Sequence, residues 1–158
     1  MPWMKHKTYA QRLKAMRPDT RVEKLTGFRA RFGSGTIAIP AASEVEEIMR
    51  KVPKGKLITT KGIQEIVARR HGATMGCPII TGVGIWLVSH VAYEQLKAGK
   101  KNVVPFWRTI KNSGDIAPNC PGSRNEVKKL LQKDGHKVVV RGKRYRVIDY
   151  KQALAKLD

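Results

Sequence analysis

The chain has 158 residues, with 32 Lys and Arg against 12 Asp and Glu, a formal charge of +20, and a hydrophobic share of 41%. That length suits one domain burying about 68–70% of its unfolded surface, and no apolar run approaches the ~18 residues of a membrane span. The charge exceeds the magnitude of about 2 to 8 that solubility asks for and destabilises the fold by self-repulsion, so a polyanionic partner is expected, nucleic acid ahead of an acidic membrane. With no signal peptide at the start, the expected location is cytoplasmic, nucleoid-associated in a bacterium or nuclear in a eukaryote.

Lys5 to Arg17 places Tyr9, Leu13 and Met16 on one helical face before Pro18 stops it, which predicts a short amphipathic helix. From Arg21 to Ile39, apolar Phe28, Phe32, Ile37 and Ile39 lie among Gly27, Gly33 and Gly35, reading as a loop with at most one strand. Lys5, Lys7, Arg12, Lys14, Arg17, Arg21, Lys24, Arg29 and Arg31 make residues 1–42 a basic amino-terminal arm, which either tracks phosphates or is a solvated face.

Ser43 and Glu46 have capping-box spacing for a helix running to about Val52, with Val45, Ile48, Met49 and Val52 as its buried stripe. A second helix is predicted after Thr59-Thr60, with Ile63, Ile66 and Val67 inward and Gly72 at its end. Ala73 to Gly76 turns the chain, and Cys77-Pro78 reads as cap and first residue of a third helix ending near Ala98-Gly99. On that helix Ile80, Val83, Leu87 and Val91 are assigned to the core. Gly82 and Gly84 each cost about 1 kcal/mol relative to Ala, so they imply close approach, either to a nucleic-acid groove or to another helix. The two helices and their glycine-bounded turn are either a helix-turn-helix or an ordinary helical hairpin. Lys97 to Lys101, including Lys100 and Lys101, then adds positive charge before an apolar strand expected over Val103 to Ile110.

Ser123 and Glu126 open a further helix with Val127, Leu130 and Leu131 inward. Lys137 to Val140 and Arg144 to Ile148 read as a hairpin about Arg141-Gly142-Lys143, and Asp149 as the cap of a terminal helix through Leu157. The basic tip, Arg141, Lys143 and Arg144, is either a phosphate-contacting wing or a charge-protected edge. Cys77 and Cys120 form neither a disulfide framework nor a metal motif, so reduced thiols, no metal and no cofactor are expected. His6, His71, His90 and His136 are scattered and read as surface or cap residues.

Several of these stretches, in order, resemble one family. Val52-Pro53-Lys54-Gly55-Lys56-Leu57-Ile58-Thr59, Val103-Val104-Pro105-Phe106-Trp107-Arg108, Asn112-Ser113-Gly114-Asp115, Asn119-Cys120-Pro121-Gly122 and Leu130 to His136 are similar to the alkylguanine-DNA alkyltransferases, over roughly Glu44 to His136. The resemblance implies an α+β domain with a winged helix-turn-helix core over residues 43–136, to which the hairpin and terminal helix of residues 137–158 are appended. Family members carry the alkyl-accepting cysteine and its proton-relaying histidine where Phe106 and Trp107 stand, and a glutamate where Asp134 stands. A benzyl ring has no nucleophilic atom, so no catalytic residue is expected, and the alkyltransferase-like proteins, which bind alkylated guanine without repairing it, are the nearer match. The implied lesion pocket is Pro105, Phe106, Trp107, Arg108, Cys120 and Asp134, with the two aromatics offered to an unstacked base. The implied DNA contacts are Thr59, Thr60, Thr81, Gly82, Gly84, Lys100, Lys101, Arg141, Lys143 and Arg144, Thr81 falling on the family's intercalating arginine and Thr60 on its tyrosine. A monomer binding duplex DNA follows, damaged or not. A general DNA- or RNA-binding protein that kept only the frame, and a methyltransferase using Cys120 or Cys77, are the alternatives.

Overall fold

Residues 8–16 and 18–158 are described in the computed structural model; Lys5, His6, Lys7 and Arg17 of the predicted arm lie outside them. Helix α1 (Tyr9–Ala15) is opened by Thr8, whose hydroxyl accepts from the Gln11 amide while the Gln11 side chain returns the bond. Its apolar face, Tyr9, Leu13 and Met16, packs against Leu87 and Ala42.

The stretch read as a loop with at most one strand forms two. β1 (Arg21–Lys24) and β2 (Thr36–Ile39) pair antiparallel, Arg21 opposite Ile39 and Lys24 opposite Thr36, around a 3-10 helix over Gly27–Phe32. β2 also pairs in parallel with β4 (Met75–Gly76), so the segment read as an arm is woven into the fold. Two of its cations are held there by one carboxylate, since Arg21 and Arg29 both pair with Glu23. Gly76 is demanded by packing: a Cβ there would stand 2.5 Å from the backbone carbonyl oxygen of Gln64.

Helix α2 (Ala42–Arg50) buries Val45, Ile48 and Met49 completely, and Val52 beyond its end, at about 1.5–3 kcal/mol for each large side chain. The Ser43–Glu46 box does not form. Thr20 supplies the cap from outside the helix, its Oγ1 accepting from the Ala41 amide at 2.9 Å and donating to Glu44, so the helix starts early and Ser43 becomes an ordinary first-turn residue.

Helix α3 (Thr60–Arg70) follows the short β3 (Ile58–Thr59), with Thr59 Oγ1 capping the Gly62 amide, and buries Ile63, Ile66 and Val67 as expected. Helix α4 (Pro78–Lys97) runs between the predicted limits, but its buried face is Thr81, Gly84, Leu87, Val88, Ser89 and Ala92. Of the four residues assigned to the core only Leu87 is fully buried; Ile80, Val83 and Val91 are half-buried, the first two against the Met16–Leu87 cluster beneath α1. α4 is covered by α1, α2 and α3 on different sides, which is why its apolar residues show no single stripe.

The strand expected over Val103 to Ile110 is shorter. Val103 to Pro105 run into the core, Phe106–Arg108 turn as a 3-10 helix closed by the Arg108 amide on the Pro105 carbonyl, and only β5 (Thr109–Ile110) is strand, parallel to β3. Helix α5 (Arg124–Lys133) is capped by Ser123, and its Glu126 side chain bonds Tyr93 and Lys97 instead of completing a box. β6 (Val138–Arg141) and β7 (Arg144–Val147) form the hairpin about Gly142-Lys143. No terminal α-helix forms: Asp149 is left-handed (φ 54°) and caps nothing, a 3-10 turn covers Tyr150–Ala153, and Leu57 then clamps the chain by bonds to Ala153 and Ala155. The fold is α+β, with one principal core drawn from α2, α3, α4, α5, the Phe106 turn and the hairpin. Among the described residues no helix is long and apolar enough to cross a membrane.

Candidate nucleic-acid site

The amino-terminal half of α4 presents Gly82, Ile85, Trp86 and Ser89 at i, i+3, i+4 and i+7, one helical face, to a cavity of about 220 Å³. Phe106 lies on its inner side, Thr60 at the start of α3 and Thr109 of β5 flank it, and the loop from Lys111 to Pro121 closes the remaining wall. The lining is mixed: two aromatic rings, aliphatic side chains, hydroxyls and one lysine. Thr109 Oγ1 is buried and has no hydrogen-bond partner within the described protein, a deficit of about 1–3 kcal/mol unless a ligand or water answers it.

Both rings are held from behind. Tyr9 of α1 stacks on His90 at 4.2 Å and meets Trp86 edge-on at 5.3 Å, while His90 is edge-on to Trp86 at 5.1 Å. His90 is therefore neither a surface nor a cap residue, and burial pushes its pKa below the ordinary value. Phe106, 4% exposed, is edge-on to Tyr93 at 6.2 Å and to Trp107 at 5.4 Å.

Trp107 does not share the cavity. Its Nε1 donates to Asp134 Oδ2 at 3.0 Å, and Arg108 reaches the same carboxylate through Nε at 2.7 Å while its Nη1 donates to the Val52 carbonyl at 2.9 Å. Burial raises the Asp134 carboxyl, but the Arg108 and Trp107 hydrogen bonds and the guanidinium charge outweigh it and hold the pKa below the usual carboxylate range. Trp107, Arg108 and Asp134 thus form a structural brace between the Phe106 turn and the end of α5.

The closing loop is tied to its surroundings. Asn112 Oδ1 accepts from the Lys61 amide at 2.8 Å; Asp115 accepts from Ser113 and Arg144, both at 2.9 Å; the Ile116 amide donates to the Tyr145 carbonyl at 2.8 Å. Cys120 lies on the cavity wall, where burial raises its thiol pKa above the ordinary value, and Cys77 is buried at the start of α4.

Of the expected pocket, then, Phe106 and Cys120 line the cavity; Pro105 is buried in the core, and Trp107, Arg108 and Asp134 form the brace behind it. Of the expected DNA contacts, Thr60 and Gly82 are on the cavity. Thr59 is spent as the cap of α3. Thr81 is fully buried with its hydroxyl unpartnered, and the open neighbour is Gly82, around which a Cβ would meet nothing within 4 Å. Gly84 faces α2, its absent Cβ 3.1 Å from Val45, so its closeness is helix packing and not groove approach. Lys100 and Lys101 lie past the carboxyl end of α4, more than two turns beyond Ser89. Arg144 is paired with Asp115, and Arg141 and Lys143 are exposed on the hairpin. Sequence reasoning missed Trp86, Ser89, Thr109 and the wall from Lys111 to Asn119; the i, i+3, i+4, i+7 spacing of Gly82 to Ser89 was the signal available. Among the described residues no group of three or more His, Cys, Asp or Glu could hold a metal ion.

No protein-family profile matches the chain, and no curated protein matches it. Two solved structures match in shape. One is S. pombe Atl1 in complex with damaged DNA containing O6-carboxymethylguanine, with 18% identity, a TM-score of 0.53, and 73% of this chain aligned to 94% of that one. The other is S. pombe ATL in complex with DNA, with 19% identity, a TM-score of 0.54 and the same coverage. At such identity the likeness is one of fold: the chain is built as the S. pombe alkyltransferase-like protein is, in keeping with the resemblance its motifs carry.

Proposed function

We propose that this protein binds DNA without altering it, using α3 and α4 as a helix-turn-helix and receiving an unstacked, alkylated guanine in the cavity beside Gly82. The observation that carries the reading is the cavity itself: aromatic walls at Phe106 and Trp86, an unpartnered hydroxyl at Thr109, and no activated nucleophile. At about 220 Å³ it is smaller than the roughly 300–1,000 Å³ of drug-sized sites and suits a single planar ring system. Stacking on an aromatic wall contributes about 1–3 kcal/mol, which is the order of the cost of unstacking a base already weakened by damage. Phe106 cannot attack an alkyl carbon, and Cys120, with its thiol pKa raised, holds little thiolate at neutral pH. The shared fold with a protein crystallised on damaged DNA, and the +20 charge, support the same partner.

The test is a titration of duplexes with and without an O6-alkylated guanine, of single-stranded DNA and of RNA, with intact mass recorded after incubation. Tighter binding to the alkylated duplex and an unchanged mass are expected. Gly82→Phe, at a position with open space, is expected to fold and to bind both duplexes alike. Equal affinity of the parent protein for the two duplexes would sink the lesion pocket, a mass gain on Cys120 would make it an enzyme, and a clear preference for RNA would move the function there.

A further inference from the structure

The charge of the hairpin lies along one face and is not confined to its tip. The β6–β7 register sets Val138 opposite Val147 and Val140 opposite Tyr145, and Val138, Tyr145 and the fully buried Val147 pack on the core. Directly opposed residues share a face, so Arg141 with Arg144, and Val139 with Arg146, point outward. That outer face joins the Tyr150–Ala153 turn in a concave surface of about 640 Å³, to which Lys151 adds a fourth cation and Asp149 the one carboxylate.

Among the described residues the side chains of Arg141, Arg146 and Lys151 have no hydrogen-bond or ion-pair partner. Several acids elsewhere are engaged: Glu23, Glu44, Glu47, Glu126 and Asp134 all pair with other cations, and Asp115 takes Arg144, whose side chain is still 62% exposed. Arg141 lies opposite Arg144, and Arg146 follows two residues along the same face of β7, so the two free guanidiniums stand one step of roughly 6.6 Å apart along the hairpin, on neighbouring strands. Two forked donors and a lysine spread along the surface, with exposed Val139 and Ile148 beside them, suit an extended sugar-phosphate backbone better than one small anion.

We propose that the outer face of the hairpin and the adjoining Tyr150–Ala153 turn form a second nucleic-acid site, which grips the phosphate backbone independently of base and damage through Arg141, Arg146 and Lys151. It needs no base in the cavity. The contacts differ from those the sequence suggested, since Arg144 serves chiefly to hold Asp115 and the loop that walls the cavity.

The experiment measures binding of an unmodified duplex across a salt series for the parent, for Arg141→Gln/Arg146→Gln/Lys151→Gln, and for Arg141→Lys/Arg146→Lys. Each lost phosphate contact removes about 0.9 from the slope of log affinity against log salt, so the neutral triple should lose about two to three units and the lysine pair almost none. At high salt, where charge repulsion is screened, the melting temperature of both variants should equal the parent's, because all three positions are exposed. The ratio of affinities for alkylated and unmodified duplex should stay that of the parent, whatever that ratio is, so failure of the lesion pocket and failure of the hairpin site register on different readouts. An unchanged slope in the neutral triple would overturn the proposal, as would hairpin-dependent binding to phosphatidylserine vesicles with none to DNA.

Discussion

Asp134 stands at the junction of the Phe106 turn and α5, and its removal would be felt through two donors at once. Arg108 is 14% exposed and Asp134 5% exposed at their side chains, so Asp134→Ala leaves a largely buried guanidinium and an indole N–H without their acceptor. A loss of about 3–5 kcal/mol is expected, on the order of a 10 °C fall in melting temperature for a chain of this size. The carboxyl's pKa is lower folded than unfolded, so its contribution is complete above the ordinary carboxylate value and is lost as pH falls through the folded one. An acid melt should therefore show parent and variant converging at low pH; a constant gap down to the acid limit would show that the carboxylate charge is not what the brace uses. This cluster also shows where the residues were legible and where they were not. That Phe106 stands where the resembling family has its nucleophile was plain from the motif alone. That the cavity takes Phe106 and not Trp107 was not, because a strand and a 3-10 turn both part neighbouring side chains, and only the tertiary position of the turn decides which of the two faces the cavity. About 120° separates successive residues in the turn, enough to send Phe106 to the cavity and Trp107 to Asp134.

Three glycines sort the elements by what lies over them. Gly82 has a helical backbone and open space, so Gly82→Ala should stabilise α4 by about 0.5–1 kcal/mol. Gly84 is 3.1 Å short of Val45, and Gly84→Glu would drive a carboxylate between α4 and α2, so the expected result is an unfolded or strongly destabilised protein and not a folded one that fails to bind DNA. Gly76→Ala meets the Gln64 backbone at 2.5 Å and should destabilise although the side chain is the smallest available. Thermal melts of the three variants check the order, and a stabilised Gly76→Ala would refute this account of β4 against α3. Helices α2, α3 and α5 were readable because each is apolar on one side only, which makes a 3.6-residue period visible. α4 is enclosed on several sides and so gave its length but not its orientation, and β1 and β2 were obscured by the glycines between them and by Phe28, which is 66% exposed. The cap of α2 lies on Thr20, over twenty residues upstream, a contact that local spacing cannot reveal.

At the scale of the whole molecule the charge makes two opposite demands. Exposed ion pairs such as Lys51–Glu47 and Lys97–Glu126 contribute about 0–1 kcal/mol each and weaken with salt, whereas the repulsion among the surplus cations, +20 in all, is relieved by it. Because the pairs are few and weak beside that surplus, the free protein's melting temperature should rise as salt takes the Debye length from about 30 Å to about 3 Å. A bound duplex reverses the sign. It stabilises the folded protein in proportion to the logarithm of its concentration over the dissociation constant, and that constant weakens steeply with salt as counterions return to the phosphates. The melting temperature with duplex should start well above that of the free protein at low salt, fall, and meet the rising curve at high salt. In the neutral triple variant of the hairpin the free curve should lie higher at low salt, with three fewer positive charges to repel, and the gap opened by duplex should be smaller. A free protein that loses stability as salt is added would show that its ion pairs outweigh its repulsion. A duplex that leaves the low-salt melting temperature unchanged would remove nucleic acid as the reason for the charge.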